Sequence, residues 1–499
     1  MNKVILFNPR ATTHHARIPN SILAIAASIE GKYEYVIVDG NLENDPMSVI
    51  RRYLQTGDFG FFASTVMPGP QLKQAIPFSK RIREEFPSVN IIWGGYFPSN
   101  HPKVVLESGF VDVIVNGPGD KTFPHILHAF ENKQSFEGIN NLLYLQEGKV
   151  IKSAKDELYD LDALTPYPYE KLNSFYPMEK YQQKTYIGKH PVAYHSSFGC
   201  PFTCSFCAVV PIYNARWKGR SAKGIADDII FLQQRFGADS VEFMDNNFFV
   251  SEKRTVEFCK LIAPYNMSWW GEGRIDTIDK YKDETLALMK EAGCKMIFFG
   301  AESGDDEVLK KMDKGGTQSS AQILKFAKRM QQFGIIPEYS FVLGTPADSP
   351  EKAMLQIDKD IAFIRKVKEV NPETEIIIYI YSPVPTEGSE MFKAVMTTGF
   401  RYPQKLEEWV SPEWENFDLR KNPLTPWLTP EMVDKIKNFE TVLHGYYPTV
   451  SDLRLTTRKR RVIKRLAALR YKTGFYPFPY EIKALHKLWK YRKPEIEGF

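Results

Sequence analysis

Over the first 395 residues, short apolar runs alternate with longer amphipathic stretches. In residues 1–135 the runs are KVILFN, YEYVIVDG, FGFFAST, VNIIWGGY and VDVIVNG. Between them lie SILAIAASIEG and MSVIRRYLQTG, whose apolar positions recur at helical spacing. Apolar strands separated by such helices predict a parallel sheet covered on both faces. Five strands predict a flavodoxin-like, Rossmann-type domain, in which ligands bind at the carboxyl ends of the strands. Residues 138–191 read as a hairpin, NLLYLQEGKVIKS, followed by a linker that Pro166, Pro168, Pro177 and Pro191 keep from forming long helices. The alternation resumes over 192–395 with VAYHSSFG, SVEFMDN, MSWWGEG, KMIFFGAES, PEYSFVLG and EIIIYIYS. Six such units predict a partial (β/α)6 barrel. Residues 396–499 lose the pattern and are expected to be mostly helical. The expected architecture is therefore α/β, divided at 1–137, 138–191, 192–395 and 396–499.

The ends of the first five strands carry Asn8 and Pro9, Asp39 and Asn41, Ser64 and Thr65, Gly94–Gly95–Tyr96, and Gly117, Gly119 and Asp120. The glycines allow a large ligand to approach the backbone closely, although each alone also reads as a turn residue. No GxGxxG follows the first strand, which argues against a nicotinamide dinucleotide.

Composition adds little by itself. Apolar residues make up 43% and charged residues 25% of the chain, as in ordinary globular proteins. The N-terminus MNKVILFNPR does not read as a signal peptide, and no apolar run is long enough to predict a spanning helix. Five cysteines, three of them clustered, fit a metal site in a reducing compartment, with the cytoplasm as the expected location. The net charge of +5 is unevenly distributed. Fourteen basic side chains and the single acid Glu481 lie between Arg454 and Lys493, so this stretch carries +13 and the remainder −8. Two readings follow: peripheral contact with an anionic membrane surface, or a basic face packed on the acidic remainder. No recognised nucleic-acid module accompanies the stretch, so no nucleic-acid partner is expected.

The stretch GCPFTCSFC places Cys200, Cys204 and Cys207 in one loop after the first barrel strand, on the rim where barrel chemistry occurs. Three cysteines holding a 4Fe–4S cluster leave one iron without a protein ligand. Zinc held by the three thiols and a distant histidine is the alternative. Cys259 and Cys294 sit in apolar patterns and read as core thiols.

The C-x3-C-x-aromatic-C motif, with Phe206 as its aromatic, resembles the radical S-adenosylmethionine (SAM) signature over about residues 190–390. The resemblance implies that the unique iron chelates SAM and that SAM is reductively cleaved to a 5′-deoxyadenosyl radical. It also implies a low-potential electron donor of flavodoxin or ferredoxin type. Matched strand by strand, it points to Asp245, Asn246, Asn247, Arg274, Glu302, Ser303 and Gly344 as SAM contacts. Capping or turn roles are the alternative for each polar residue, and Arg274 and Glu302 could instead form one structural ion pair.

With the first domain included, the chain resembles cobalamin-binding radical SAM proteins over about residues 1–395. That group includes carbon methyltransferases and the anaerobic magnesium-protoporphyrin ester cyclase. The family's G-E-G-E-x-T-F reads GPGDKTF here, and the D-x-H-x-x-G cobalt-ligand motif is absent. The resemblance implies cobalamin at the strand ends named above, and methylation of an unactivated carbon of a small-molecule or lipid-like substrate. Oxidation, cyclisation or rearrangement without methyl transfer is the second implied chemistry. A non-catalytic binding protein that kept the fold is a third reading. Trp409, Trp414, Trp427 and Trp489 read either as core or as pocket lining.

Overall fold

The computed structural model describes residues 2–12, 14–314, 318–414 and 425–490. Two sheets organise the chain. The first contains β1 (Lys3–Asn8), β2 (Tyr35–Asp39), β3 (Phe59–Thr65), β4 (Asn90–Gly94), β5 (Val113–Val115), β6 (Leu142–Gln146) and β7 (Lys149–Lys152). Its order is β2-β1-β3-β4-β5-β6-β7. The first five strands are parallel in flavodoxin-like order. The predicted hairpin forms as β6 and β7, which add antiparallel to β5 and extend the same sheet. Strands such as β1 are apolar on both faces because helices cover both.

Just after the first barrel strand, β8 (Pro191–Tyr194), comes a short antiparallel pair, β9 (Ser197–Gly199) with β10 (Trp217–Gly219). The second sheet runs β8, β11 (Ser240–Phe243), β12 (Ser268–Gly273), β13 (Cys294–Glu302), β14 (Ile336–Leu343) and β15 (Glu375–Ile380). All six are parallel and each neighbours the next in the chain, giving an open partial barrel. The predicted first strand is split after Tyr194. The buried Asp245 carboxylate accepts hydrogen bonds from the Ser196 amide (3.0 Å), the Ser196 hydroxyl (3.0 Å) and the Ser197 hydroxyl, and so turns the chain out of the sheet.

The two sheets meet at the carboxyl ends of their strands. The Arg17 guanidinium pairs with Glu242 at 3.0 Å, and the Asn20 amide donates to the Ala193 carbonyl at 3.2 Å. The Tyr96 hydroxyl donates to Asn246 at 2.7 Å, and the Asn100 amide donates to the Ala208 carbonyl at 3.2 Å. The C-terminal region serves three places. Trp409 packs on Phe97 and His101 of the first domain. Trp427 sits on Tyr381 at the barrel rim. Helices Pro430–Tyr446, Thr457–Thr473 and Tyr480–Trp489 pack outside the barrel. Trp409 and Trp427 are core residues, and Trp414 and Trp489 pack against core as partly buried side chains.

Candidate active site between the two sheets

Gly199 ends β9 with φ +71°, and a Cβ there would lie 2.2 Å from the Arg216 carbonyl, so only glycine turns the chain into the cysteine loop. Cys204 is buried, while Cys200 and Cys207 are partly exposed. The loop is fixed from below by the Ser205 hydroxyl donating to the Lys311 carbonyl (2.8 Å) and by the Thr386 hydroxyl donating to the Ser205 carbonyl. Thr386 lies in SPVPTEG, which places that segment against the cysteine loop.

Two buried cations border the thiols. One Nη of Arg274 is 3.1 Å from Cys204 Sγ, and its guanidinium lies 3.9 Å over the Phe202 ring. The same guanidinium holds Asp276 through two hydrogen bonds of 2.9 and 2.7 Å. Lys314 Nζ is 2.9 Å from Glu302 and 5.8 Å from the centre of the Phe206 ring. The suggested Arg274–Glu302 pair is therefore not formed: Arg274 holds the neighbouring Asp276, and Glu302 holds Lys314, from a loop that sequence spacing does not reveal. Burial, and then Cys204, push the Cys207 thiol up to about 12, and burial raises Cys200. Arg274 opposes this at Cys200 and Lys314 opposes it at Cys207, and both favour the thiolate that a cluster requires. No group of three or more His, Cys, Asp or Glu side chains converging as for a single metal ion occurs among the described residues. A cubane cluster does not require convergence on one ion, since each thiolate binds its own iron.

The predicted SAM residues divide into two groups. Asn247 is buried beside the loop, where its amide lies close enough to Cys200 to favour the thiolate and finds no other hydrogen-bond partner among the described residues. Glu302 ends β13 with φ +65°, where the register against β14 shifts. Its carboxylate reaches Lys314 only because Gly300 has no side chain: a Cβ there would lie 2.0 Å from Glu302 Oε1. The other group is already engaged. Asp245 positions Ser196 and Ser197, as described. Asn246 accepts from Tyr96, leaving its amide nitrogen unpartnered. The Ser303 hydroxyl donates to Asp360 at 2.6 Å. The Gly344 carbonyl accepts from the Trp427 indole at 2.9 Å. Cys259 and Cys294 are buried in the main core.

Between the strand ends and the barrel mouth lies a cavity of about 590 Å³. Its first wall includes Asn8, Asn41, Ser64, Thr65, Gly94, Gly95, Tyr96, Gly117, Gly119 and Asp120. Its second includes Ala193, His195, Phe198, Met244, Asn246 and Glu272 from the barrel half. Pro9 and Asp39 do not line it. The Pro9 carbonyl accepts from Gln71, and the fully buried Asp39 accepts from Asn8, Asn41 and Tyr181, tying the linker to β2. Gly95 has φ +103°, and a Cβ there would lie 2.7 Å from the Val66 carbonyl. Gly95→Ala should therefore destabilise the fold by about 1–3 kcal/mol, read as a lower urea midpoint.

Sequence reasoning missed Lys314, Asp276 and Glu272. Asp276 is two residues from Arg274 in GRID, a spacing that suits a fork-shaped guanidinium, whereas MDKGG gives no local signal for Lys314. Glu272 faces the cavity from β12, and burial, with Asp245 adding repulsion, pushes its carboxyl up to about 8. A carboxyl raised in this way binds an extra proton in the folded state between the ordinary carboxylate range and about pH 8. Its stabilising contribution is full at acid pH and is lost as pH rises through that window. The ligand-free wild type should thus lose stability relative to Glu272→Gln between about pH 5 and pH 8, and parallel urea midpoints across that range would refute this.

Residues 194–356 match the radical SAM superfamily model. The fold as a whole is that of cobalamin-binding radical SAM enzymes. It superposes with a TM-score of 0.66 on the radical SAM methyltransferase TsrM from Kitasatospora setae, solved with cobalamin and a [4Fe-4S] cluster, over 94% of this chain and 100% of that one at 15% identity. An uncharacterized methyltransferase of Pyrococcus horikoshii is 27% identical over 70% of this chain and 73% of its own length. The anaerobic magnesium-protoporphyrin IX monomethyl ester cyclase of Synechocystis is 28% identical over 48% of this chain and 47% of its own.

Proposed function

We propose that this protein is a cobalamin-dependent radical SAM enzyme that methylates an unactivated carbon of a small-molecule or lipid-like metabolite. The observation that carries the reading is the cavity itself. It lies between the polar and glycine-rich strand ends of the first sheet and the first three strands of the barrel, and Phe198, Ile212 and Tyr213, on either side of the cysteine loop in the chain, line it. When bound, the cluster with SAM would supply a hydrogen-abstracting radical, and cobalamin a transferable methyl group.

This chain's own residues have separable tasks. Cys200, Cys204 and Cys207 would hold the cluster, with Arg274 and Lys314 offsetting its negative charge. Asn247 and the Glu302–Lys314 pair offer an amide, a carboxylate and an ammonium to the polar end of SAM. Gly94, Gly95, Gly117 and Gly119 let a flat macrocycle lie close to the backbone. The sequence lacks D-x-H-x-x-G, so the strand-end residues, and not a histidine of that motif, would hold cobalamin here. The Tyr96–Asn246 hydrogen bond joins the two walls, and Phe198, Ile212 and Ile25 add apolar surface to the lining. An electron donor of flavodoxin or ferredoxin type would complete the system.

The likeness to the ester cyclase supports a second reading, cyclisation or oxidation without methyl transfer. One experiment separates the two. Protein purified anaerobically from cobalamin-fed cells is analysed for iron and cobalt, and its product is weighed by mass spectrometry. About four irons and one cobalt per chain, with a product heavier by one methyl group, is the expected result. Iron without cobalt, or a product carrying no added carbon, would overturn methyl transfer.

A further inference from the structure

We propose that the C-terminal helical block is a docking surface for an anionic lipid bilayer. The inference rests on helix Thr457–Thr473 and the segment after it, and does not depend on the reaction at the cavity.

The helix has two apolar stripes. Ile463, Ala467 and Tyr471, spaced i, i+4 and i+8, are buried against helix Pro430–Tyr446, where Tyr446 stacks on Tyr471 at 4.6 Å. Val462, Leu466 and Leu469, spaced i, i+4 and i+7, form a second stripe that faces solvent, with Leu469 74% exposed. A helix packed on one side has no folding reason to keep a second stripe in water. The surface continues beyond the helix. Phe478 is 64% exposed and stacks on Tyr480, and Phe475 is exposed beside the Arg470 guanidinium. Arg470 also donates to the Pro477 and Phe478 carbonyls and pairs with Glu481, which fixes these aromatics to the end of the stripe.

Charge identifies the partner. Arg458, Arg461, Arg465 and Lys472 are exposed, and among the described residues none of the four has an ion-pair partner. Arg458, Lys459, Arg460 and Arg461 open the helix, and its first turn holds no acid. Arg460 is tied to the Pro448, Thr449, Asp452 and Leu455 carbonyls and Lys459 lies over Trp489, but Arg458 and Arg461 have no ion-pair partner among the described residues at an end where the helix dipole disfavours cations. Basic residues flanking an exposed aliphatic and aromatic stripe match a surface that is anionic at the headgroups and apolar beneath them. A nucleic acid would use the charge but leave the aliphatic stripe in water. Residues 491–493 of the basic stretch lie outside the described residues.

The block contacts Arg365 and Lys368, at the end of helix Pro350–Val370, and Glu375, which opens β15. Those residues lie at the end of the barrel opposite its mouth, so the block is anchored away from the cavity.

The test is co-sedimentation of the full chain with vesicles of phosphatidylcholine alone or mixed with phosphatidylglycerol. Binding only to the anionic vesicles is expected. It should weaken at least about tenfold in Leu466→Asp/Leu469→Asp, and also in Arg458→Glu/Arg465→Glu. All four side chains are exposed, so the variants should keep the wild-type urea midpoint. Failure of the wild type to sediment would overturn the proposal. So would anionic-vesicle binding unchanged in the Leu variant, or stronger binding to RNA than to vesicles with the same insensitivity to the Leu substitutions. Each of these would leave the reading of the cavity untouched.

Discussion

Replacing any one of Cys200, Cys204 or Cys207 with alanine should abolish 5′-deoxyadenosine formation from SAM and remove most of the bound iron. The three thiols sit in one loop with no fourth cysteine near it. A cluster held by two thiolates would have two irons without protein ligands and would be lost on purification. The loop is also built around these side chains: Arg274 lies against Cys204, and Phe202 lies beneath Arg274. The check is anaerobic reconstitution followed by iron assay and chromatography of the SAM products. Cys259→Ala and Cys294→Ala are the controls. Both remove buried thiols from the core, so they should cost stability while keeping iron content and SAM cleavage. Wild-type SAM cleavage in any one of the three loop variants would end the cluster assignment.

The second large effect is expected at Lys314. Lys314→Met leaves Glu302 as a buried carboxylate without its cation. Breaking a buried pair from one side costs about 3–5 kcal/mol, because the remaining charge stays desolvated. The double variant Lys314→Met/Glu302→Gln should recover most of that loss in urea unfolding. Neither variant should restore SAM binding, since both remove charges beside the cysteine loop. A single variant as stable as the wild type would mean that the Glu302–Lys314 contact carries no structural role. A stable double variant that binds SAM normally would remove the pair from the cofactor site.

Much of the architecture was legible in the chain, because its periodicities report burial directly. All five strands of the first domain and all six of the barrel fall where the apolar runs lie, and the helices between them follow the helical spacing of apolar positions. The cysteine loop was legible because its three ligands are local: three thiols within eight residues need no tertiary information to be recognised. The glycine-rich strand ends were legible for a related reason, since a parallel sheet sends every carboxyl end to one edge. Ten of the twelve residues expected there line the cavity, and Pro9 and Asp39 are the exceptions. A strand end can turn a residue toward ligand or toward the next element. Asp39 turns toward Tyr181, a contact made across 142 residues of chain.

By itself, then, the sequence determined the element order, the parallel topology of both sheets and the position of the cysteine loop, because each follows from local spacing and burial pattern. Only the tertiary structure decided which charges meet. Arg274 pairs with Asp276 rather than Glu302, and Glu302 pairs with Lys314, from a loop with no recognisable motif. It alone joined Tyr96 to Asn246 and turned Glu272 into the space between the sheets. It also left a second apolar stripe of helix Thr457–Thr473 uncovered, although the helical spacing that predicts a buried face is the same for both stripes. The physical reason is that ion pairing and burial depend on distance in space, which spacing along the chain does not report, whether the partners meet within the barrel, as Glu302 and Lys314 do, or where the two sheets dock, as Tyr96 and Asn246 do.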